Sequence, residues 1–167
     1  MKYYAGIGSR QTPEPMLLFM TAIAQYLDKR GYALRSGGAD GADLAFERGA
    51  RHKEIFLPWK GFNGSKSPLY LVPEKALKIA EEVLPEFPHC TPAVQKLKAR
   101  NMMQVLGPGL DDPCDFVICW TEDGALRGGT AAAIRLAKKH QIRVFNLGLE
   151  ADKEYVKETL RTGGSLG

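Results

Sequence analysis

Leu34-Arg35-Ser36-Gly37-Gly38-Ala39-Asp40-Gly41-Ala42-Asp43 decides the fold, because an apolar strand runs into a glycine turn and the turn opens a helical pattern. The same arrangement recurs at Gly6-Ile7-Gly8-Ser9-Arg10 and at Gly124-Ala125-Leu126-Arg127-Gly128-Gly129-Thr130. Glycine allows the sharp turn and the close approach of a ligand to backbone N–H groups, and a helix starting there adds unpaired donors and the positive end of its dipole. An anionic small molecule is the guest such turns select.

Working outward, Tyr3-Tyr4-Ala5-Gly6-Ile7 reads as a buried strand, and Thr12-Pro13-Glu14-Pro15 signals a helix start. Met16, Met20, Ile23 and Leu27 then recur at helical spacing, with Gly31 as a stop. A second strand precedes the Gly37 turn, a short helix follows over 44–48, and Ile55-Phe56-Leu57-Pro58 gives a third strand. Later, Asp115-Phe116-Val117-Ile118-Cys119-Trp120 and Ile142-Arg143-Val144-Phe145-Asn146-Leu147 read as strands around a helix over 131–139, and a last helix is expected over 150–161. Strands alternating with helices through short links predict right-handed parallel crossovers. The expected class is α/β, a three-layer Rossmann-like fold with a mainly parallel sheet and helices on both faces.

The 167 residues suit one domain, 1–167, in which 59–90 forms an expanded loop and helix insertion. Residues 59–72 lose periodicity and read as a lid beside the strand ends or as a passive insertion; Trp59, Phe62 and Tyr70 there could stack a planar base. Helices are expected over 73–84 and 91–106, the second with a Thr91 cap and Pro92 at its first position.

A charged fraction of 25% and an apolar fraction of 44% describe a folded globular protein, and a net charge of +4 neither demands nor excludes nucleic acid. Cys90, Cys114 and Cys119 form no CxxC pair, so neither a metal nor a cofactor is expected. The odd cysteine count and the absence of spanning apolar stretches point to a cytoplasmic protein away from membranes.

In a parallel sheet the loops leaving the strand ends share one edge, where ligands bind. Gly8, Ser9, Arg10, Ser36, Gly37, Gly38, Asp40, Asp43, Arg127, Gly128, Gly129 and Thr130 are therefore the expected phosphate-binding residues. Hydroxyls, guanidinium groups and backbone donors are all represented among them. The first turn lacks the full GxGxxG spacing, and no GxxxxGK[ST], GxSxG or HExxH run occurs. Hydride transfer and ATP-driven work recede accordingly.

These turns, with Arg100-Asn101 and Gly128-Gly129-Thr130-Ala131-Ala132-Ala133, resemble the ordered motifs of the DNA processing protein A (DprA/Smf) family, which shares a superfamily with the LONELY GUY (LOG) phosphoribohydrolases. The resemblance spans about residues 3–148, apart from 59–90. It implies a Rossmann-like nucleotide-binding domain that pairs into homo-oligomers. It also implies two further activities, single-stranded DNA binding and hydrolysis of nucleoside 5′-monophosphates at the N-glycosidic bond. Against the first, Asp40 stands near where the DprA loop carries a DNA-binding arginine; Lys96, Lys98 and Arg100 on one helix are the compensating cations. For the second, Arg100 resembles the catalytic arginine of the LOG enzymes, but no acid follows Thr130. A carboxylate would have to come from Asp40, Asp43, Glu122 or Asp123, with Glu122 and Asp123 favoured by their place after a strand and Asp43 equally suited to capping its own helix. The leading expectation is a nucleotide or nucleotide-derived phosphate ligand, and a partner-binding protein that keeps the fold alone is the remaining alternative.

Overall fold

The computed structural model describes residues 1–167. Five strands, β1 (Lys2–Gly6), β2 (Tyr32–Ser36), β3 (Lys53–Ile55), β4 (Phe116–Cys119) and β5 (Arg143–Asn146), form one sheet in the order β3-β2-β1-β4-β5. Every pairing is parallel, with Tyr4 opposite Leu34, Ala5 opposite Val117 and Val117 opposite Val144. Six helices connect or follow them: α1 (Glu14–Asp28), α2 (Ala42–Gly49), α3 (Glu74–Val83), α4 (Pro92–Leu106), α5 (Thr130–Lys139) and α6 (Glu150–Thr162). This is the three-layer Rossmann-like α/β fold expected from the alternation of elements. No helix is long and apolar enough to cross a membrane.

Alternation along the strands divides the interior in two. Tyr4, Leu34, Phe116, Ile118 and Phe145 point to one side, where Met20, Ile23 and Leu27 of α1, Phe46 of α2 and Val156 of α6 cover them. Ala5, Val117 and Cys119 point to the other, under Ala76 and Ala80 of α3, Met102 and Val105 of α4, and Ala133 and Ala137 of α5. Small residues on α5 let that helix lie close to β4 and β5, while α3 packs on α4 and α5. Cys114 and Cys119 are buried, and burial pushes both thiols up to about 12, which makes them inert packing groups.

At the centre of the first core, Tyr4 stacks on Phe116 with ring centroids 5.9 Å apart and meets Phe46 and Tyr32 edge-on, and its hydroxyl makes no hydrogen bond. Burial pushes the phenol well above its ordinary pKa, with Asp28 adding to the effect. An unpartnered hydroxyl in a closed core costs free energy that the ring does not need to carry. Tyr4→Phe is expected to match or exceed the parent in stability, by up to about 1 kcal/mol in urea unfolding.

Two sequence readings shift. The third strand was expected at Ile55-Phe56-Leu57-Pro58, yet the ladder with β2 ends at Ile55. Beyond it the Phe56 N–H still donates to the Ser36 carbonyl of β2 at 2.9 Å, while Phe56 bridges to Leu69 and the Leu57 N–H donates to the Leu69 carbonyl at 2.8 Å, so the end of the apolar run is shared between the sheet and the 59–72 segment. Asp43 does not cap α2 either: Gly41 occupies the cap position and Asp43 lies inside the first turn. Thr91 does cap α4, accepting from the Val94 N–H at 3.3 Å with Pro92 following.

A buried cation fastens the far side of the sheet. Arg35 on β2, 1% exposed, bonds Glu54 at 2.9 Å and both the carbonyl and the carboxylate of Asp112, and lies over the Tyr3 ring. It thereby ties the loop before β4 to the middle of the sheet.

Candidate functional site

With β1 central, the chain leaves it toward β2 on one side and later returns to β4 on the other, so the crevice between the ends of β1 and β4 is the topological switch point. A cavity of about 550 Å³ lies there. Its walls are the first turn (Gly8, Ser9, Arg10, Gln11), the third turn (Arg127, Gly128, Gly129, Thr130) and the face of α4 that carries Lys98, Arg100, Asn101 and Gln104; Asp43, Thr121, Glu122 and the apolar Ile7, Val94, Leu97 and Ala133 also line it.

Gly8 is required by proximity: a β-carbon there would fall 2.7 Å from Ala42 and 3.3 Å from the backbone of Trp120. The first turn is anchored by the Ile7 N–H to Ile118 and the Ser9 N–H to Trp120, while the Ser9 hydroxyl accepts from the Gln11 N–H at 2.9 Å. These bonds leave the N–H groups of Gly8 and Arg10 without acceptors in the protein. The third turn is similar, because α5 begins at Thr130 with Gly129 at its N-cap position and no side-chain cap, and the N–H groups of Gly128, Gly129 and Thr130 are unpaired. Five backbone donors from two turns thus surround one cavity. Exposed Arg10 and Arg127 and half-buried Lys98 add positive charge at its rim.

The second turn is built differently from what its sequence suggests. Ser36 is fully buried and donates to the Gly6 carbonyl at 2.6 Å, which locks β2 to β1 and removes the hydroxyl from any ligand. Gly37 and Gly38 do not reach the cavity, and Asp40 is exposed outside it, held at 2.9 Å by Asn63. Asn63 also donates to the Gly38 carbonyl at 3.0 Å. Asp123 likewise stands outside, in a left-handed conformation at φ 56°, so Glu122 is the carboxylate after β4 that faces inward. Of the expected residues, Gly8, Ser9, Arg10, Asp43, Arg100, Glu122, Arg127, Gly128, Gly129 and Thr130 come together; Ser36, Gly37, Gly38, Asp40 and Asp123 do not.

Arg100 is the floor of the cavity. It is 4% exposed, and its Nη1 donates to the carbonyls of Gly37 and of Phe56, the latter at 3.0 Å. Its Nε donates to Asn101 Oδ1 at 3.0 Å, and Asn101 in turn donates to the Gly129 carbonyl, so α4 positions the third turn. Its Nη2 has no protein partner and remains for a ligand. Burial lowers this guanidinium to about 10 against the attraction of Asp43, so it keeps its charge at neutral pH. Phe62 from the 59–72 segment lies over it at 5.3 Å.

That segment does not line the cavity. Phe62 is committed to Arg100, Trp59 packs edge-on against Phe62 at 5.5 Å, and Lys60 lies over Tyr70. None of the three aromatics lines the cavity.

Gln104 is the residue the sequence reading passed over. It is 2% exposed, lines the cavity and makes no hydrogen bond within the protein. Its spacing of four from Arg100, one turn along the same helix, was the available signal.

Burial pushes the Asp43 carboxyl up to about 6, opposed by Arg100 and by the N–H groups of Ala39 and Gly37. Between an unfolded value of about 4 and the folded value, the native state holds a proton that the unfolded chain has lost. This group's contribution to stability therefore declines as pH rises from about 4 to about 6 and is level above that. In urea unfolding the difference between the parent and Asp43→Asn is expected to change by about 2 kcal/mol between pH 4 and pH 7, against the parent at the higher pH.

No protein-family model and no curated protein matches the chain. Among solved structures it is similar to DNA processing protein A from Helicobacter pylori, studied for its single-stranded DNA binding mode, with a TM-score of 0.58 and 18% identity over 96% of this chain and 81% of that one. It is also similar to DNA processing protein A from Streptococcus pneumoniae, with a TM-score of 0.55 and 17% identity over 98% of this chain and 57% of that one. The chain thus spans little more than half of the pneumococcal protein. At these identities what is shared is architecture, and the chain carries the Rossmann-like fold of DNA processing protein A.

Proposed function

We propose that the chain binds nucleotide phosphate at the switch-point cavity. The observation that carries this is the set of five unpaired backbone N–H groups, on Gly8, Arg10, Gly128, Gly129 and Thr130, around one cavity with cations at its rim. Unpaired donors at a helix start favour an anion, and two turns of this kind can hold the oxygens of one phosphate from opposite sides.

Two ligands offer that phosphate, and a different observation favours each. A cavity of about 550 Å³ has the volume of a small-molecule site and suits a free nucleotide. A single strand of DNA is favoured by the architecture shared with the H. pylori protein, together with Arg10, Lys98 and Arg127 at the mouth. The carboxylate of Asp40, which stands against DNA in the sequence, is outside the cavity and occupied by Asn63.

The test is fluorescence anisotropy of a labelled single-stranded oligonucleotide across a salt series, with nucleoside monophosphate as competitor. Binding whose logarithm falls linearly with log salt, and which the nucleotide displaces, supports a common phosphate site. Nucleotide binding without DNA binding selects the small-molecule ligand. If neither binds to folded protein, the reading is wrong. Chromatography of the same nucleotide mixtures for free base tests whether Glu122 converts binding into hydrolysis; base release abolished by Glu122→Gln is the result that activity requires.

A further inference from the structure

Three polar side chains from two helices converge on the floor of the cavity. A β-carbon on Gly37 would stand 2.8 Å from Asp43 Oδ2, 2.8 Å from Arg100 Nη1 and closer still to Gln104 Nε2, so the bare α-carbon is what lets them meet. All three are buried, and all three line the cavity. Asp43 accepts from the Ala39 N–H at 3.3 Å, and a carboxylate has lone pairs for further donors. Arg100 keeps Nη2 open, and the Gln104 amide, which carries both a donor and an acceptor, has no partner in the protein. The floor thus presents donors and acceptors side by side. A buried amide without a partner carries a cost of about 1–3 kcal/mol, which a ligand group bonding it would offset.

Resting on the nucleotide-phosphate reading, we propose that this floor is a subsite for a vicinal diol, so that the cavity takes a ribosyl phosphate and Gln104 is the residue that tells ribose from 2-deoxyribose. A hydroxyl both donates and accepts, and two on neighbouring carbons match a carboxylate and an amide set beside a guanidinium. The order of groups in the ligand agrees with the order of groups in the cavity. The sugar is the unit next to the phosphate, and the floor adjoins the first and third turns with their free N–H groups. Exposure then rises along α4 from Gln104 and Arg100 to the half-buried Leu97 and Val94, which line the same cavity and offer a base an apolar surface. Within a DNA strand neither hydroxyl of the pair exists, because C2′ carries only hydrogen and O3′ is esterified. A strand can use the cations at the rim but leaves the floor unmatched.

Isothermal titration of the parent and of Gln104→Leu with two ligand pairs tests this directly: adenosine 5′-monophosphate against its 2′-deoxy analogue, and ribose 5-phosphate against 2-deoxyribose 5-phosphate. The parent is expected to bind the ribo member of each pair at least about tenfold more tightly, since a site built to bond a hydroxyl leaves its own groups unpaired when that hydroxyl is missing. Gln104→Leu should bring the members of each pair within about threefold by weakening the ribo member alone. The variant is expected to fold, because Gln104 has no hydrogen bond in the protein to lose, and the comparison within the parent stands without it. Equal affinities within the pairs for the parent, or a preference undiminished in Gln104→Leu, overturn the proposal and leave the nucleotide-phosphate reading standing. Binding of the nucleotides with no binding of ribose 5-phosphate likewise overturns it, by assigning recognition to the base. If no member of either pair binds to folded protein, the proposal and the reading beneath it fall together.

Discussion

Arg100→Met is expected to destabilise the protein by about 3–5 kcal/mol at pH 7, the scale of breaking a buried ionic network by removing one partner. The substitution approximates the side-chain length and removes every donor. The carbonyls of Gly37 and Phe56 lose their shared partner, Asn101 loses the donor that orients its amide toward the Gly129 carbonyl, and Asp43 is left as an uncompensated buried carboxylate. The pH dependence distinguishes this account from simple loss of packing. With Arg100 gone Asp43 is driven further toward its protonated form, so the deficit measured by urea unfolding should shrink at pH 5 and shrink again in the double variant Arg100→Met/Asp43→Asn. A loss below about 1 kcal/mol, or one independent of pH, would show that the guanidinium is not holding the floor together. Arg100→Lys keeps the charge without the fork and should recover only part of the loss.

Gly129→Asp should weaken phosphate binding by roughly 100-fold while leaving the fold intact or slightly more stable. The two effects separate because the position is open: a β-carbon at Gly129 has no neighbour within 4 Å, and its φ of −64° suits any residue. An aspartate at the start of α5 satisfies one of the helix's unpaired donors, which accounts for the stability, and places a carboxylate where the ligand phosphate would sit, which accounts for the lost affinity. Gly129→Ala adds a methyl without charge and should cost far less. Measured by anisotropy with the oligonucleotide and by titration with nucleotide, unchanged affinity in the folded Asp variant would place the phosphate elsewhere than the third turn.

The layer architecture was legible because strand, turn and helix each leave a local mark. Tyr3-Tyr4-Ala5-Gly6-Ile7 and Phe116-Val117-Ile118-Cys119 are apolar runs too short for helices, and the prolines at 13, 15 and 92 sit where a first turn tolerates them. The boundary of β3 was not legible, because Phe56 and Leu57 are as apolar as strand residues, and only the fold shows that Phe56 is shared between Ser36 of β2 and the distant Leu69 while Leu57 pairs with Leu69 alone. At the site, the glycines of turns one and three announced free backbone donors. Those of turn two announced the same, and the pattern could not reveal that Asp43 folds back onto Ala39 and Gly37 or that Ser36 turns under to Gly6. Such reversals depend on where a side chain three or more residues away comes to rest, which periodicity does not encode. Gln104 was missed for the opposite reason: a lone amide in a helix carries no motif.

The adjacency of β1 and β4 also bears on the order of events in folding. β1, α1 and β2 are consecutive, so their pairing closes a short stretch of chain, whereas β4 must return from the far half of the sequence to lie against β1. Long-range parallel pairing of this kind carries the loop-closure entropy that slows a folding reaction. The first turn belongs to the early half, and the third turn and Glu122 to the late one. The cavity therefore comes into existence only at the docking of the two halves, and a nucleotide-dependent fluorescence signal recorded during refolding would time that step rather than the formation of either half.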